Sequence, residues 1–323
     1  MNVQKFVWYS FLGRALTKLM FFSLVFFVGT ILGKAPDAKG MLGAVLFYLA
    51  YFSTYIYNDL LDFESDKRKK FAYSAKALVH GYASLREFII LLGNFSILFT
   101  FLATLWDPLL GMFTVLAVIT NNIRTHVGNK YRRQILLMIV ELLNFEAFWQ
   151  AMYGEPLPLI FLPLFLTYSS IYSTLHMVYK VTDNYSPGDL IRVIRKRSIQ
   201  KLAAITFLAL ITTIPSLLLS TYHFLALLLS VMVYAGIHLY YIRRAENPRT
   251  IERTQRTAIL LISLVLIGSA FLYSSMGSPF NISVPFMDRL KPFYNTTGYF
   301  DALQKEMFNR AFSGIGGLKG KIQ

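Results

Sequence analysis

An acidic stretch at residues 57–70 holds the side chains best suited to chemistry. It reads YNDLLDFESDKRKK, with a long apolar run before it and four cations at its end. Asn58, Asp62 and Asp66 are spaced four residues apart, so on a helix they fall within an arc of roughly 80° over about two turns. Asp59 lies about 100° round from Asn58. The pattern predicts a column of oxygen ligands along one face of a helix end.

Carboxylates placed this close together repel one another unless a cation lies between them. Mg²⁺ prefers carboxylate oxygens together with substrate phosphates as its ligands, so we interpret the column as a magnesium site. The alternative is a solvated acidic helix end beside a basic loop. The adjoining apolar run favours the functional interpretation, because carboxylates at membrane depth are costly.

Apolar segments of membrane length recur along the chain and would position this column. Of the 323 residues 55% are hydrophobic, and the mean hydropathy is +0.49, which is typical of a polytopic membrane protein. We predict nine spans, at about residues 15–33, 40–58, 86–106, 108–122, 135–153, 157–179, 200–220, 222–242 and 257–275.

The predicted fold is therefore all-α, a polytopic nine-helix transmembrane bundle over residues 1–275. An amphipathic lead-in over residues 1–14 is expected to lie in the membrane interface. Residues 276–323 are expected to form an extramembrane or interfacial tail, because they are rich in turn-forming residues and end in a glycine-rich run.

Cations are concentrated in alternate loops, and the net charge is +15. This asymmetry predicts a cytosolic N-terminus, cytosolic basic loops with the active site beside them, and a C-terminus outside. The basic loops would also attract anionic membrane lipids and phosphate. Because the cations are scattered over loops between apolar spans, no nucleic-acid partner is expected. The chain has no cysteine, which excludes disulfides and a thiolate nucleophile.

The acidic stretch resembles the first signature of the UbiA superfamily of intramembrane prenyltransferases, Asn-Asp-x-x-Asp-x-x-x-Asp at the cytosolic end of the second helix. Asn58, Asp59, Asp62 and Asp66 match it position by position. The resemblance covers about residues 10–275. It implies transfer of a polyprenyl group from a polyprenyl diphosphate donor to a lipid or aromatic acceptor, with Mg²⁺ as the cofactor.

The family also has a second acidic motif, Asp-x-x-x-Asp, after its sixth helix. The corresponding loop here has Asp183 and Asp189 six residues apart, with a Pro-Gly turn between them. The resemblance implies that Asp62, Asp66 and Asp183 are catalytic. It also implies that metal is held by Asn58, Asp59, Asp62, Asp66, Asp183 and Asp189. An alternative role for Asp189 is to cap the next helix.

Three cations are expected to bind the diphosphate, namely Lys76, Arg124 and Lys180. Lys76 stands where the family has the Arg of an Asn-Arg-Pro-like stretch, without the Pro. Arg124 stands where the family has the Lys of a Tyr-x-x-x-Lys pair, and Thr120 replaces the Tyr. Membrane topology alone is an alternative explanation for such cations.

Two carboxylates in the fifth predicted span are also candidates, because ionisable groups inside a membrane are by default functional. Glu141 is expected to pair with Arg133 or Arg124. Glu146 is expected either to accept a hydrogen bond from an acceptor substrate or to sit protonated against Tyr or Thr.

Two other functions fit the same residues. Some members of the superfamily transfer phosphoribose from a phosphoribosyl diphosphate to a lipid phosphate, and the basic loops suit this more anionic donor. A degenerate, non-catalytic lipid-binding protein would explain the lost Pro and Tyr and the altered second motif.

Overall fold

The protein is described by a computed structural model over residues 2–7, 13–67, 77–158, 161–181, 204–212, 221–244 and 248–276. Its helices are α1 (Val3–Phe6), α2 (Gly13–Ile31), α3 (Ala38–Lys67), α4 (Leu85–Gly93), α5 (Phe99–Trp106), α6 (Pro108–His126), α7 (Lys130–Tyr153), α8 (Leu162–Val181), α9 (described over 204–212), α10 (Thr221–Arg244) and α11 (Pro248–Met276). A π-helical segment, Asn94–Leu98, joins α4 to α5. No strand occurs within these ranges, so the predicted all-helical class is correct for them.

Four helical stretches in the described ranges are long and apolar enough to cross a membrane. They are Ala38–Glu64, Leu85–Trp106, Ile135–Tyr153 and Arg256–Tyr273. Two shorter apolar stretches, Lys18–Ile31 and Tyr222–Ile237, lie within α2 and α10. These lengths and compositions are consistent with an integral membrane protein.

Several helix boundaries differ from the predicted spans. Helix α3 has 30 residues and continues to Lys67, whereas its span was predicted to end near residue 58. The extension carries no Gly or Pro to stop it, so the helix propagates through the acidic stretch. The seventh predicted span is described only over 204–212, and the predicted tail over 277–323 lies outside the described residues.

The amphipathic lead-in is represented by α1, whose apolar side packs on the bundle. Phe6 is 4% exposed. Its ring meets Phe52 and Phe88 edge-on, with centroids 6.4 Å and 5.8 Å apart. Phe6 therefore lies inside an aromatic cluster between α3 and α4, and the interfacial position of residues 1–14 stays a prediction. Edge-on ring pairs stabilise such clusters beyond the area they bury.

Helix α7 packs against four other described helices of the bundle. It packs against α3 and α6 on one side and against α2 and α8 on the other, while α11 packs between α2 and α10. Aromatic side chains fill the core between them. Phe145 contacts Phe21 at 4.8 Å and Phe165 at 4.6 Å, and Phe47 meets Phe148 at 4.9 Å between centroids.

The two ends of the bundle are distinguished by contacts between side chains at or near the helix ends. At one end Arg14 of α2 meets Asp59 of α3, and Tyr57 meets His126 of α6. At the other end Lys34, just after α2, pairs with Glu155, just after α7. We call these the motif end and the distal end.

Candidate functional site

The predicted ligand column lies on one uninterrupted helix. Asn58 is half-buried, Asp62 is exposed and Asp66 is 4% exposed, all within α3. Asp59 is also 4% exposed. Because Asp59 and Asp66 are seven residues apart, they share the face that turns toward the interior, and Asp62 lies at the edge of that face. The column thus runs from the surface into the protein at the motif end.

A guanidinium faces the buried part of this column. Arg14 Nη2 donates a hydrogen bond of 2.6 Å to Asp59 Oδ1, and the two side chains are 13% and 4% exposed. Arg14 also lies over the ring of Tyr55, 5.2 Å from its centroid. The sequence had placed Arg14 in the interfacial lead-in, whereas the structure has it in the first turn of α2, beside the column. Asp59 is therefore an ion-pair partner, and its role as a metal ligand stays a prediction.

A second ion pair lies one helical turn deeper. Lys18 Nζ is 3.7 Å from Glu141 Oε2, and the side chains are only 4% and 3% exposed. Asn144 Nδ2 donates to the same carboxylate at 3.4 Å. The expectation that Glu141 would pair with Arg133 or Arg124 is wrong, because α2 packs directly on α7 and brings Lys18 to it. An ionisable residue inside an apolar span was the signal that could have identified Lys18.

Helix α6 brings further basic groups to the motif end. Tyr57 and His126 are hydrogen-bonded, with 2.7 Å between the hydroxyl and Nε2. Arg124, half-buried two residues earlier, donates from Nε to Asn121 Oδ1 at 3.0 Å. The predicted phosphate-binding Arg124 thus lies in the last turn of α6, at the motif end, and its approach to the acidic column stays a prediction. His126, which contacts α3, was not singled out by the sequence analysis.

Several predicted site residues cannot be placed. Lys76, Asp183 and Asp189 lie outside the described residues. Lys180 belongs to the last turn of α8, but its side chain is not described. The predicted meeting of the two acidic motifs, and the predicted lysine contacts to diphosphate, therefore stay predictions.

The described residues do not form a complete metal site of their own. Within the described ranges no group of three or more His, Cys, Asp or Glu side chains could hold a metal ion. Asn58, Asp62 and Asp66 do supply hard oxygen donors, which fit Mg²⁺ better than a softer metal. Because Mg²⁺ completes its shell with water and substrate phosphate, a short protein ligand set is compatible with it.

Glu146 has a structural partner rather than an open position. Its two carboxylate oxygens accept the backbone N–H of Leu157 at 3.2 Å and 3.3 Å. The carboxylate thereby holds the connection between α7 and α8 against α7. This contact accounts for a carboxylate at that depth without an acceptor substrate.

The aromatic residues on the helices around the motif end pack largely on one another. Tyr172 meets Phe21 edge-on at 5.2 Å, and Tyr51 meets Tyr55 at 5.8 Å. Tyr168 is hydrogen-bonded to Ser230 of α10. Such contacts are those of a packed core, so these residues are assigned to the core of the bundle.

No family model, curated protein or solved structure matches this chain. The likeness to the UbiA superfamily consequently rests on the residues of the sequence alone.

Proposed function

We propose that this chain is a Mg²⁺-dependent intramembrane prenyltransferase of the UbiA type, which transfers a polyprenyl group from its diphosphate to an aromatic or lipid acceptor. The observation that carries the proposal is the acidic column on α3. Asn58, Asp62 and Asp66 stand on one helix that emerges from an apolar, membrane-length stretch. Carboxylates in that setting are expensive to keep without a cationic ligand.

The bound metal would neutralise charge on the departing diphosphate. Asn58, Asp62 and Asp66 would hold it, joined in the proposal by Asp183 and Asp189 from the loop after α8. At the same end of the bundle Arg14 and Arg124 supply positive charge, and Asp59 orients Arg14 through its 2.6 Å hydrogen bond. Arginine binds phosphate oxygens in pairs, so Arg124 would grip the donor and keep its C–O bond oriented.

The nine-helix bundle with its active site on the cytosolic side belongs to the same proposal. Every predicted span coincides at least in part with a described helix. Helices α3 and α6 both end at the motif end, and α2 and α7 both begin there. This arrangement supports the assignment of the basic loops after α3 and after α6 to the motif end.

The positive charge at the motif end also favours a second candidate function, transfer of phosphoribose from phosphoribosyl diphosphate. Arg14 in the first turn of α2 and Arg124 in the last turn of α6 both belong to that end of the bundle. A phosphoribosyl diphosphate carries more phosphate groups than a prenyl diphosphate and would make more use of these cations.

The test is diphosphate release by purified protein with Mg²⁺ and either geranylgeranyl diphosphate or phosphoribosyl diphosphate, with a panel of acceptors. We expect release with the prenyl donor. Release with the phosphoribosyl donor alone would select the second candidate, and release with neither would favour a non-catalytic lipid-binding protein. Mass spectrometry of co-purified lipid would identify the acceptor class.

Asp62→Ala should lower diphosphate release about a hundredfold or more, because a ligand of the charge-neutralising site is lost. Asp62 is exposed, so the fold should survive. Glu64→Gln is the matched control, since Glu64 is an exposed acid on the same helix about 200° round from Asp62. Full activity in Asp62→Ala, or equal loss in Glu64→Gln, would remove the first motif from the site.

A further inference from the structure

A cavity of about 490 Å³ opens at the distal end, away from the acidic column. It is bounded by the turn after α2, the junction of α5 with α6, and the last turn of α7. Its charged and polar lining includes Lys34, Asp37, Lys39, Asp107, Gln150 and Tyr153, with the indole of Trp106 beside them. The volume falls in the range of small-molecule sites.

The two carboxylates of the cavity are held in place by helix starts. Asp37 Oδ1 accepts the N–H of Gly40 at 2.6 Å, and Asp107 Oδ1 accepts the N–H of Leu110 at 2.8 Å. Each caps a helix through one oxygen, α3 and α6 respectively. Because the caps already fix these two side chains, a ligand that binds them does not have to order them, as it would a free surface carboxylate.

Gln150 adds a buried polar group without a complete set of partners. Its side chain is 3% exposed, and Nε2 donates to Asp107 Oδ1 at 3.4 Å. Its carbonyl oxygen Oε1 meets no hydrogen-bond partner among the described residues. A buried amide oxygen left without a donor costs about 1–3 kcal/mol, so a donor at this position would be stabilising.

Two cations and two carboxylates line the cavity, and one of the cations has a further partner. Lys34 forms an ion pair with Glu155 and lies 5.9 Å from the ring of Trp149, and Lys39 lies 5.9 Å from the ring of Trp106. Because Glu155 adds a negative charge beside the two lysines and two aspartates, the cavity disfavours a simple anion. It suits a ligand that carries an ammonium group together with its phosphate.

The depth of the cavity points to a lipid headgroup as that ligand. Two membrane-length stretches, Leu85–Trp106 and Ile135–Tyr153, end at the cavity, and a third, Ala38–Glu64, begins there. Hydrocarbon gives way to headgroups where such stretches end, and Trp is enriched at that level. Trp106 stands at this boundary as part of the lining.

We infer that the distal cavity binds the headgroup of a zwitterionic aminophospholipid. The phosphate lies beside Lys39, and the primary ammonium donates to Asp37, Asp107 and the carbonyl oxygen of the Gln150 amide. A primary ammonium has three N–H donors for these acceptors, whereas a choline group has none. This inference does not depend on the reaction proposed for the motif end.

The test is native mass spectrometry of the purified full-length protein titrated with phosphatidylethanolamine, phosphatidylcholine and phosphatidylglycerol of identical acyl chains. We expect phosphatidylethanolamine to bind about tenfold more tightly than either of the others. Asp37→Asn should weaken phosphatidylethanolamine about fivefold, because Asn keeps the helix cap but removes the charge. Binding of phosphatidylcholine should not change in this variant.

Arg132→Gln is the matched control, an exposed cation at the other end of α7, about 27 Å along the helix from Gln150. It should leave all three affinities unchanged. Equal affinity for phosphatidylethanolamine and phosphatidylcholine in the unaltered protein would overturn the inference. So would a preference for phosphatidylglycerol, which would show that the cavity selects negative charge alone. Lipid selectivity of the unaltered protein decides the matter even if a variant fails to fold.

Discussion

At the scale of single residues, the Lys18–Glu141 ion pair carries a large desolvation cost, because both charges are buried. Both side chains are almost completely buried, and the pair joins α2 to α7. The Lys18 ammonium also lies 4.4 Å from the ring of Tyr51 and 4.7 Å from that of Phe21. Two aromatic faces and one carboxylate thus replace the water that the ammonium loses.

Lys18→Met should destabilise the protein by about 3–5 kcal/mol, because it leaves the Glu141 carboxylate buried without its cation. Glu141→Gln should be destabilising for the converse reason. The double variant should be more stable than either single variant, since it buries no uncompensated charge. Thermal unfolding of the purified protein in detergent measures all three. A double variant that loses the sum of the two single losses would show that the pair does not act as a unit.

The residues of the site were predictable to different degrees. The α3 column followed from local spacing, because Asn58, Asp62 and Asp66 lie within two helical turns of one another. The partners Arg14, Lys18 and His126 did not, since they come from α2 and α6. Their proximity depends on which helices pack together, and hydropathy patterns carry no information about that.

At the scale of helices, α3 and α7 approach so closely that only glycine fits between them. A Cβ built on Gly40 would lie 2.7 Å from the carbonyl oxygen and 2.9 Å from the Cα of Met152. Both are backbone atoms, so no side-chain rotation can relieve the contact. Close approach of this kind through small residues is a common means of packing helices in membranes.

Gly40→Ala should therefore lower stability by about 1–3 kcal/mol, since α3 and α7 must move apart. Gly268→Ala in α11 is the matched control, because a Cβ there meets no atom within 4 Å. Ala is the better helix former, so this change should be neutral or stabilising by up to about 1 kcal/mol. Thermal unfolding of both variants checks the pair. Equal melting temperatures would contradict the close α3–α7 contact.

The positions of the helices were largely predictable because each corresponds to a separate apolar run bounded by charges or breakers. The lengths of the helices were less predictable. The polar end of α3 continues as helix to Lys67 because its residues are helix formers, although hydropathy falls there. The π-helical segment Asn94–Leu98 has no sequence signature that would have located it.

At the scale of the whole molecule, the alternation of helix directions predicts which loops share a side of the membrane. The chain has no cysteine, so single cysteines can be placed without background labelling. Ala35 and Gly128 are both exposed, in the distal turn after α2 and in the connection between α6 and α7. We expect Ala35→Cys in intact cells to react with a membrane-impermeant maleimide.

Gly128→Cys should react only after the cells are permeabilised, because the basic loops are predicted to face the cytosol. A Cβ at Gly128 meets nothing within 4 Å, so the substitution should not disturb the fold. Labelling of both positions in intact cells would contradict the predicted topology, and reversed labelling would invert it.

Among the helices that the structure describes, α2 packs most extensively on α11, and the Phe26 and Phe271 rings lie 5.6 Å apart across this contact. Between the end of α2 and the start of α11 the ribosome must add roughly 220 residues, which takes about 10–45 s at ordinary elongation rates. For that interval one flank of α2 is covered by lipid or by the insertion machinery. Translation that stops before α11 would release a product whose first long helix never gains its principal neighbour, and we expect quality-control proteases to degrade it.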